Sequence, residues 1–468
     1  MQSILATPND PELLSPLAPP APGFGEALRF WFKLGCISFG GPAGQIAIMH
    51  RELVERRRWI SEGRFLHALN YCMLLPGPEA QQLATYLGWL LHRTWGGIAA
   101  GALFVLPSLV LLIALSAAYV VWGQQPLGAG VFWGIQPAVA AIVLQAVWRV
   151  GQRTLRDPRQ QPLPWAIALA SFVAIALLGV GFPWVVAAAA LTGWAGTRWM
   201  GVAGAGHAAS PAASAAAHAE APRAARSLID DHTPPPAHAR FSRTRLAVVA
   251  GIGIGLWVLT LGMLVQVFGS GSALVDMGRF FTQAALVTFG GAYAVLPYVM
   301  QGAVEQHQWL TAAQMMDGLA LGETTPGPLI MVVAFVGYLG GWSQQVLGPE
   351  ARWAGAALAA CVATWFTFLP SFVFILAGGP LVESTRGRLG FTAPLAAITC
   401  AVVGVIASLG LFFVAQVARD ASGRIDGPAL ALMLAAAFAL LRLRWGVMTV
   451  IAACGALGLL SALLGMAP

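Results

Sequence analysis

Residues 29–44 read RFWFKLGCISFGGPAG, and residues 279–294 read RFFTQAALVTFGGAYA. The spacing of 250 holds further along the chain. Glu55 and Trp59 match Glu305 and Trp309, and Pro76-Gly77-Pro78 matches Pro326-Gly327-Pro328. Leu106-Pro107-Ser108 matches Leu369-Pro370-Ser371 at a spacing of 263, the difference falling near the loop SQQVLGPEARWAG. Two copies of one unit are therefore present. In each, an apolar run is interrupted first at FGG and then at PGP. Internal duplication with Gly/Pro-interrupted hydrophobic segments is typical of secondary transporters.

Composition sets the solvent. Of 468 residues, 58% are hydrophobic and only 10% charged, with a mean hydropathy of +0.72. A soluble domain carries about a quarter charged residues. The deficit excludes disorder, collagen and nucleic-acid binding for the bulk of the chain, and leaves an all-α polytopic membrane protein in contact with the lipid bilayer. The net charge of +7 comes almost wholly from arginine; Lys33 is the single lysine. Such an excess marks cytoplasmic loops. Cys36, Cys72, Cys361, Cys400 and Cys454 lie in apolar stretches with no CxxC, and read as small buried hydrophobes. No metal site or cofactor motif is visible. The first 24 residues are Pro-rich with Asp10, Glu12 and no basic residue, unlike a signal peptide.

The chain divides into a tail (1–26), a first repeat (27–200), a linker (201–245), a connecting helix (246–268) and a second repeat (279–466). The Ala/Pro/His-rich linker is expected to be disordered and cytoplasmic; it holds four of the eight histidines, irregularly spaced. Apolar segments run at about 27–50, 64–92, 95–121, 128–150, 164–180 and 183–200, and at about 279–302, 312–340, 353–377, 392–418, 427–441 and 445–466. With 246–268 the total is about 13. Six segments return the chain to its starting side, so the extra one inverts the second copy and gives an antiparallel repeat. The loop after the first segment carries arginines 51, 56, 57, 58 and 64, Arg93 follows the second segment, and the 149–163 loop carries arginines 149, 153, 156 and 159; all belong inside by this reading. That requires 27–50 and 64–92 to be re-entrant hairpins rather than single spans. As one helix, 64–92 would be about 43 Å long at 1.5 Å per residue, too long for a core of about 30 Å. A break at PGP yields two half-helices instead. Kinked single spans are the alternative.

Broken helices that meet in a membrane present free N–H groups with partial positive charge, suited to an anion. The candidate substrate-binding residues at the first pair of breaks are Ser38, Gly40, Gly41, Pro42, Ala43, Gly44, Gln45, Pro76, Gly77, Pro78 and Glu79. Those at the second pair are Thr288, Gly290, Gly291, Tyr293, Glu323, Thr324, Thr325, Pro326, Gly327 and Pro328. Asn70 and Gln81 are further amides. Lys33, with Arg29 one turn earlier, is the candidate for charge, since an ionisable residue in a membrane segment is costly; snorkelling to the interface is its bland alternative. The position equivalent to Lys33 is Gln283, so the charge is not duplicated. Glu79 and Glu323 flank the PGP turns and are candidates for proton coupling. His50, His67 and His92 read as interfacial. There is no P-loop, HExxH or GxSxG.

The stretches FWFKLGCISFGGPAGQIAIMH, RRRWIS, LLPGPEAQQLATYLGW and VLPS, repeated as VTFGGAYAVLPYV, QWLT, TTPGPL and FLPS, resemble the chromate ion transporter family in its long, two-domain form. The resemblance implies efflux of chromate from the bacterial cytoplasm across the inner membrane, giving chromate resistance, with sulfate as a related oxyanion. Pro42 is replaced by Ala292 and Glu79 by Leu329 in the second copy, which implies unequal contributions. Uniport, exchange for sulfate and proton coupling all stay open, as do a sulfate transporter, an anion channel, an intramembrane enzyme, and a monomer or a homodimer.

Overall fold

The computed structural model describes residues 19–465 apart from 40, 124, 156, 160, 200–226, 232, 235, 290, 385–391 and 420–422. The described residues form helices and no strands beyond two isolated bridges. In the first copy the helices are α1 (Phe24–Ile37), α2 (Gly41–His50), α3 (Glu62–Cys72), α4 (Glu79–Trp122), α5 (Pro126–Thr154), α6 (Pro162–Ala176) and α7 (Phe182–Trp199). Helix α8 (Arg243–Phe268) connects the copies. The second comprises α9 (Ala273–Val287), α10 (Ala292–Met300), α11 (Ala312–Thr324), α12 (Val332–Ser343), α13 (Arg352–Ser384), α14 (Thr392–Val417), α15 (Gly427–Leu441) and α16 (Val447–Leu463).

Five of these are long and apolar enough to cross a membrane: Glu79–Trp122, Pro126–Thr154, Arg243–Phe268, Arg352–Glu383 and Pro394–Val417. The shorter ones arise where glycine and proline interrupt the hydrophobic pattern. The run 27–50 becomes α1 and α2, separated at Ser38 and Phe39. The run 64–92 becomes α3 and the first part of α4, separated at Pro76-Gly77-Pro78. Helix α4 is itself not continuous: His92 and Arg93 leave helical geometry, Arg93 with φ 56°. The chain doubles back there, so that Gly88 faces Gly96 and Ala100, and Thr85 faces Gly101.

The duplication extends to backbone detail. Residues 51–56 and 301–306 are both π-helical turns. Arg58 and Gln308, 250 apart, both adopt φ 51°. Packing between the copies is reciprocal. Helix α5 packs on α14, α15 and α16, while α14 packs on α5, α6 and α7. Small residues allow this; Gly134 of α5 and Gly458 of α16 meet with backbones nearly touching. Helix α8 has no counterpart and lies against α9 and α13, where Trp257 Nε1 donates to Thr282 Oγ1 at 2.9 Å.

Three expectations need correction. Arg64 is not a loop residue: it lies in the first turns of α3 and is buried, because Glu383 of α13 stands opposite it at 3.1 Å. The linker, expected to lack structure throughout 201–245, is folded against the first copy over much of 227–240; residues 201–226 lie outside the described residues. Leu228 N–H donates to Arg58 O, Ile229 N–H to Trp59 O, and Ser61 N–H to Ile229 O at 2.9–3.1 Å. This short parallel bridge satisfies backbone groups that composition alone left without partners. Among the cysteines, Cys36 is half-buried and Cys361 exposed, against the expectation that all five are buried.

Candidate substrate site at the crossed helix breaks

Glycine makes the central contact. Gly77 and Gly327, each the middle residue of a PGP turn, have φ 123° and 113°, a region that side chains with a Cβ rarely adopt. Their N–H groups reach across to the other copy: Gly77 N–H donates to Thr288 O and Gly327 N–H to Ser38 O, both at 2.8 Å. Ser38 and Thr288 are equivalent positions, the C-caps of α1 and α9. The exchange is reciprocal: residue i of one copy meets residue j of the other and j meets i. The same reciprocity governs the next contact. A Cβ on Gly77 would collide with Ser371 Oγ, and one on Gly327 with Ser108 Cβ. Both serines come from the duplicated LPS motif.

All four breaks therefore meet in two crossed pairs. Gln45 of α2 secures one of them, its Nε2 donating to Gly327 O. Gln82 of α4 secures the other from Nε2 to Pro76 O at 2.8 Å, with a longer contact to Ser371 Oγ at 3.5 Å. The N-termini of α4 and α10 have no side-chain cap, so their first N–H groups retain donor capacity. Several side-chain atoms here are buried without a partner among the described residues: Ser38 Oγ, Gln45 Oε1, Gln81 Oε1, Gln82 Oε1 and Ser108 Oγ. Orphaned buried polar atoms are costly and need an explanation. Clustered at helix breaks, they suit a polar solute.

The charged candidates distribute unevenly. Tyr293 O–H donates to Glu323 Oε1, and Arg149 of α5 acts electrostatically on both. Glu79, half-buried beside the other PGP turn, makes no hydrogen bond or ion pair among the described residues. Thr288, Thr325, Pro326, Gly327 and Pro328 are buried with Gly77 and Pro78, while Gly41, Pro42, Gly44, Pro76, Gly291 and Thr324 are half-buried and Ala43 is exposed. Thr324 and Thr325 turn their hydroxyls onto carbonyls of their own helix. Gly40 and Gly290 lie outside the described residues. Lys33 and Arg29 sit on the exposed face of α1 with Phe32, and no hydrogen bond or ion pair joins either to the breaks.

Sequence reasoning missed four contributors. Ser108 and Ser371 were signalled by the repeat of LPS but read only as evidence of duplication. Gln82 follows the flagged Gln81 by one residue. Arg149 looked like one more loop arginine, yet it lies in the last turns of α5, from where its charge acts on Tyr293 and Glu323. Among the described residues no group of three or more His, Cys, Asp or Glu is gathered as a metal site.

The comparison with protein families decides the lineage. The family model described as chromate transporter matches in two regions, residues 25–194 and 275–459, which are the two structural copies. The chain belongs to the chromate transporter family. The transporter is 31% identical over 392 residues to the chromate transport protein of Pseudomonas aeruginosa, covering 83% of this chain and 80% of that relative. It is 28% identical over 385 residues to the chromate transport protein of Cupriavidus metallidurans, covering 81% and 80%. A probable chromate transport protein of Synechococcus elongatus is 27% identical over 388 residues, covering 83% and 84%. No solved structure matches the transporter.

Proposed function

We propose that the transporter exports the chromate dianion from the cytoplasm across the bacterial inner membrane and so confers chromate resistance. The observation that carries this reading is the crossed meeting of four helix breaks, with uncapped N-termini and unpartnered hydroxyls beside them, in a member of this family. A tetrahedral oxyanion needs several donors to replace its hydration shell. Helix N-termini and hydroxyls supply them without the desolvation penalty of buried cations. Arg149, Lys33 and Arg29 would attract the anion electrostatically rather than hold it.

On this reading the copies are inverted. Residues 27–200 and 279–466 form the two repeats, 246–268 reverses their orientation, the hairpins α1–α2 and α3–α4 re-enter from the cytoplasmic side, and the linker stays cytoplasmic. The reciprocal contacts at Gly77 and Gly327 support a two-fold axis through the breaks. Export needs no chemical step. A potential of 100 mV is worth about 2.3 kcal/mol per charge, so a dianion leaving a negative interior gains roughly 4.6 kcal/mol.

Labelled chromate flux in proteoliposomes, under an imposed potassium-diffusion potential and with sulfate varied on the opposite side, tests the proposal. Flux that follows voltage without sulfate supports export as proposed. Flux that needs sulfate opposite and ignores voltage makes the transporter an exchanger. Absence of chromate flux from folded protein overturns the substrate. In the same assay, Lys33→Gln with undiminished flux removes Lys33 from the pathway.

A further inference from the structure

Asp317 is a buried carboxylate in α11, 3% exposed, which the site at the breaks does not use. Two groups from the first copy hold it. Tyr119 O–H of α4 donates to Oδ2 at 2.8 Å, and Gln136 Nε2 of α5 donates to Oδ1 at 3.1 Å. Among the described residues no cation lies within ion-pair distance, and no other charged or titratable group acts on it from the packed elements. A carboxylate enclosed in an apolar bundle without a counter-ion is expensive, and in membrane proteins such residues commonly belong to proton relays. Helix-to-helix adhesion alone would be served by an amide.

A cavity lies next to its tyrosine partner. Tyr119 also lines a cavity of about 120 Å³ with Val120, Trp309, Gln314, Trp342 and Ser343, room for several water molecules with polar partners. The phenol therefore bridges the cavity and the carboxylate. On the inverted topology proposed above, the loop carrying Trp309 lies on the outer face, so the cavity opens away from the cytoplasm.

We propose that Asp317 is a proton-binding site that couples transport to inward proton movement, fed from outside through the cavity and Tyr119. A proton enters when the Tyr119 hydroxyl passes its hydrogen to Asp317 Oδ2 and takes another from a hydronium ion in the cavity, leaving the tyrosine unchanged and a neutral water behind. While ionised, Asp317 accepts a charge-assisted bond on each oxygen and ties α11 to α4 and α5 of the other copy. Protonation weakens both bonds, because charge-assisted bonds are roughly twice as strong as neutral ones. The joint between the copies loosens as the proton arrives, and this links protonation to the relative movement that alternating access requires.

The inference deepens the export reading and rests on it, but its test separates the two. Infrared titration of the full chain in lipid reads the carboxyl C=O band without substrate. A band that grows on acidification in the wild type and is missing from Asp317→Asn is expected; no difference between the two proteins overturns the proposal. In proteoliposomes carrying an internal pH dye, chromate flux in the wild type should move protons oppositely. Asp317→Asn should reduce the stimulation of flux by a pH gradient by about tenfold, a coupling of ordinary size between linked sites. Voltage-driven flux should persist, and Asp317→Glu should restore the coupling. Active chromate flux with no proton movement, or undiminished stimulation in Asp317→Asn, overturns proton coupling while leaving export intact. If the infrared band behaves as expected but chromate does not move, the substrate reading fails and the proton site stands.

Discussion

The joint between α3 and α13 and the joint between α11 and α4 occupy equivalent places in the two copies, yet their chemistry is opposite. In the first, Arg64 pairs with Glu383 at 3.1 Å, both side chains almost fully buried, and Tyr86 O–H donates to the same carboxylate at 2.6 Å. The linker seals it: Arg64 Nε donates to Asp230 O at 3.0 Å and its Nη2 to Thr233 O, while Ser61 Oγ donates to Asp231 Oδ1 at 2.7 Å. His238 closes the far end, its Nε2 at 3.0 Å from Trp89 O. In the second joint Gln314 stands where Arg64 does, Val120 where Glu383 does, and Leu339 where Trp89 does. What remains is the cavity, with Asp317, the equivalent of His67, beneath it. His67 Nε2 meets Val382 O at 3.3 Å, the counterpart of the Asp317–Tyr119 contact. Duplication preserved which positions meet and left the chemistry of the contact free to specialise. One joint is neutralised and strapped, the other holds a lone carboxylate under a cavity.

The comparison breaks most readily at the ion pair. Removing one member of a buried pair strands the other, at a cost of about 3–5 kcal/mol. Arg64→Ala and Glu383→Ala should each lower the thermal midpoint markedly, whereas Gln314→Ala should do little. Unchanged stability in Arg64→Ala would show that the first joint is not locked by charge.

The two PGP turns offer a symmetric control. Gly77→Val and Gly327→Val should each impose about 1–3 kcal/mol of backbone strain, besides the collisions with Ser371 and Ser108. Both should lose transport while apolar substitutions at Leu329 do not. A large effect at one glycine and none at the other would mean that the crossed pairs are functionally unequal.

Ile229→Pro removes the N–H that donates to Trp59 O, a loss of about 1 kcal/mol. Amide exchange should quicken at Leu228 and Ser61 and stay unchanged around Trp309. The smallest expected effect is on pH. Burial holds the His238 imidazole below its ordinary value, a shift that the hydrogen bond to Trp89 O partly opposes. A depressed folded value means that the neutral form is favoured in the strap. Its contribution is present above the unfolded value of about 6.5 and is lost as pH falls through the lower folded value. The protection factor at Leu228, exchange corrected for its intrinsic pH dependence, should therefore fall on acidification in the wild type and respond less in His238→Gln.

Much of this was legible beforehand. The interruptions FGG and PGP marked the ends of α1, α9, α3 and α11 because glycine and proline act locally on φ and on the hydrogen-bond ladder. The repeat placed Ser38 with Thr288 and Gly77 with Gly327 as equivalents. It did not say that Gly77 reaches Thr288 rather than Ser38. Arg64 was misread as a loop residue because an arginine near a segment boundary looks the same whether it faces water or a glutamate 319 positions away. Asp317 went unnoticed because one acid in an apolar stretch carries no local mark of being enclosed.

The sequence by itself determined the solvent, the duplication and the sites of helix breakage, since hydropathy and backbone preference are properties of short stretches. Tertiary structure alone decided which break meets which, that α3 is tied to α13 by charge, and that the Asp317 carboxyl of α11 has no ion partner among the described residues. The physical reason is that lipid-exposed and protein-buried apolar faces are alike in hydropathy. Partner choice between helices then rests on small-residue contacts and polar pairs distant in the chain.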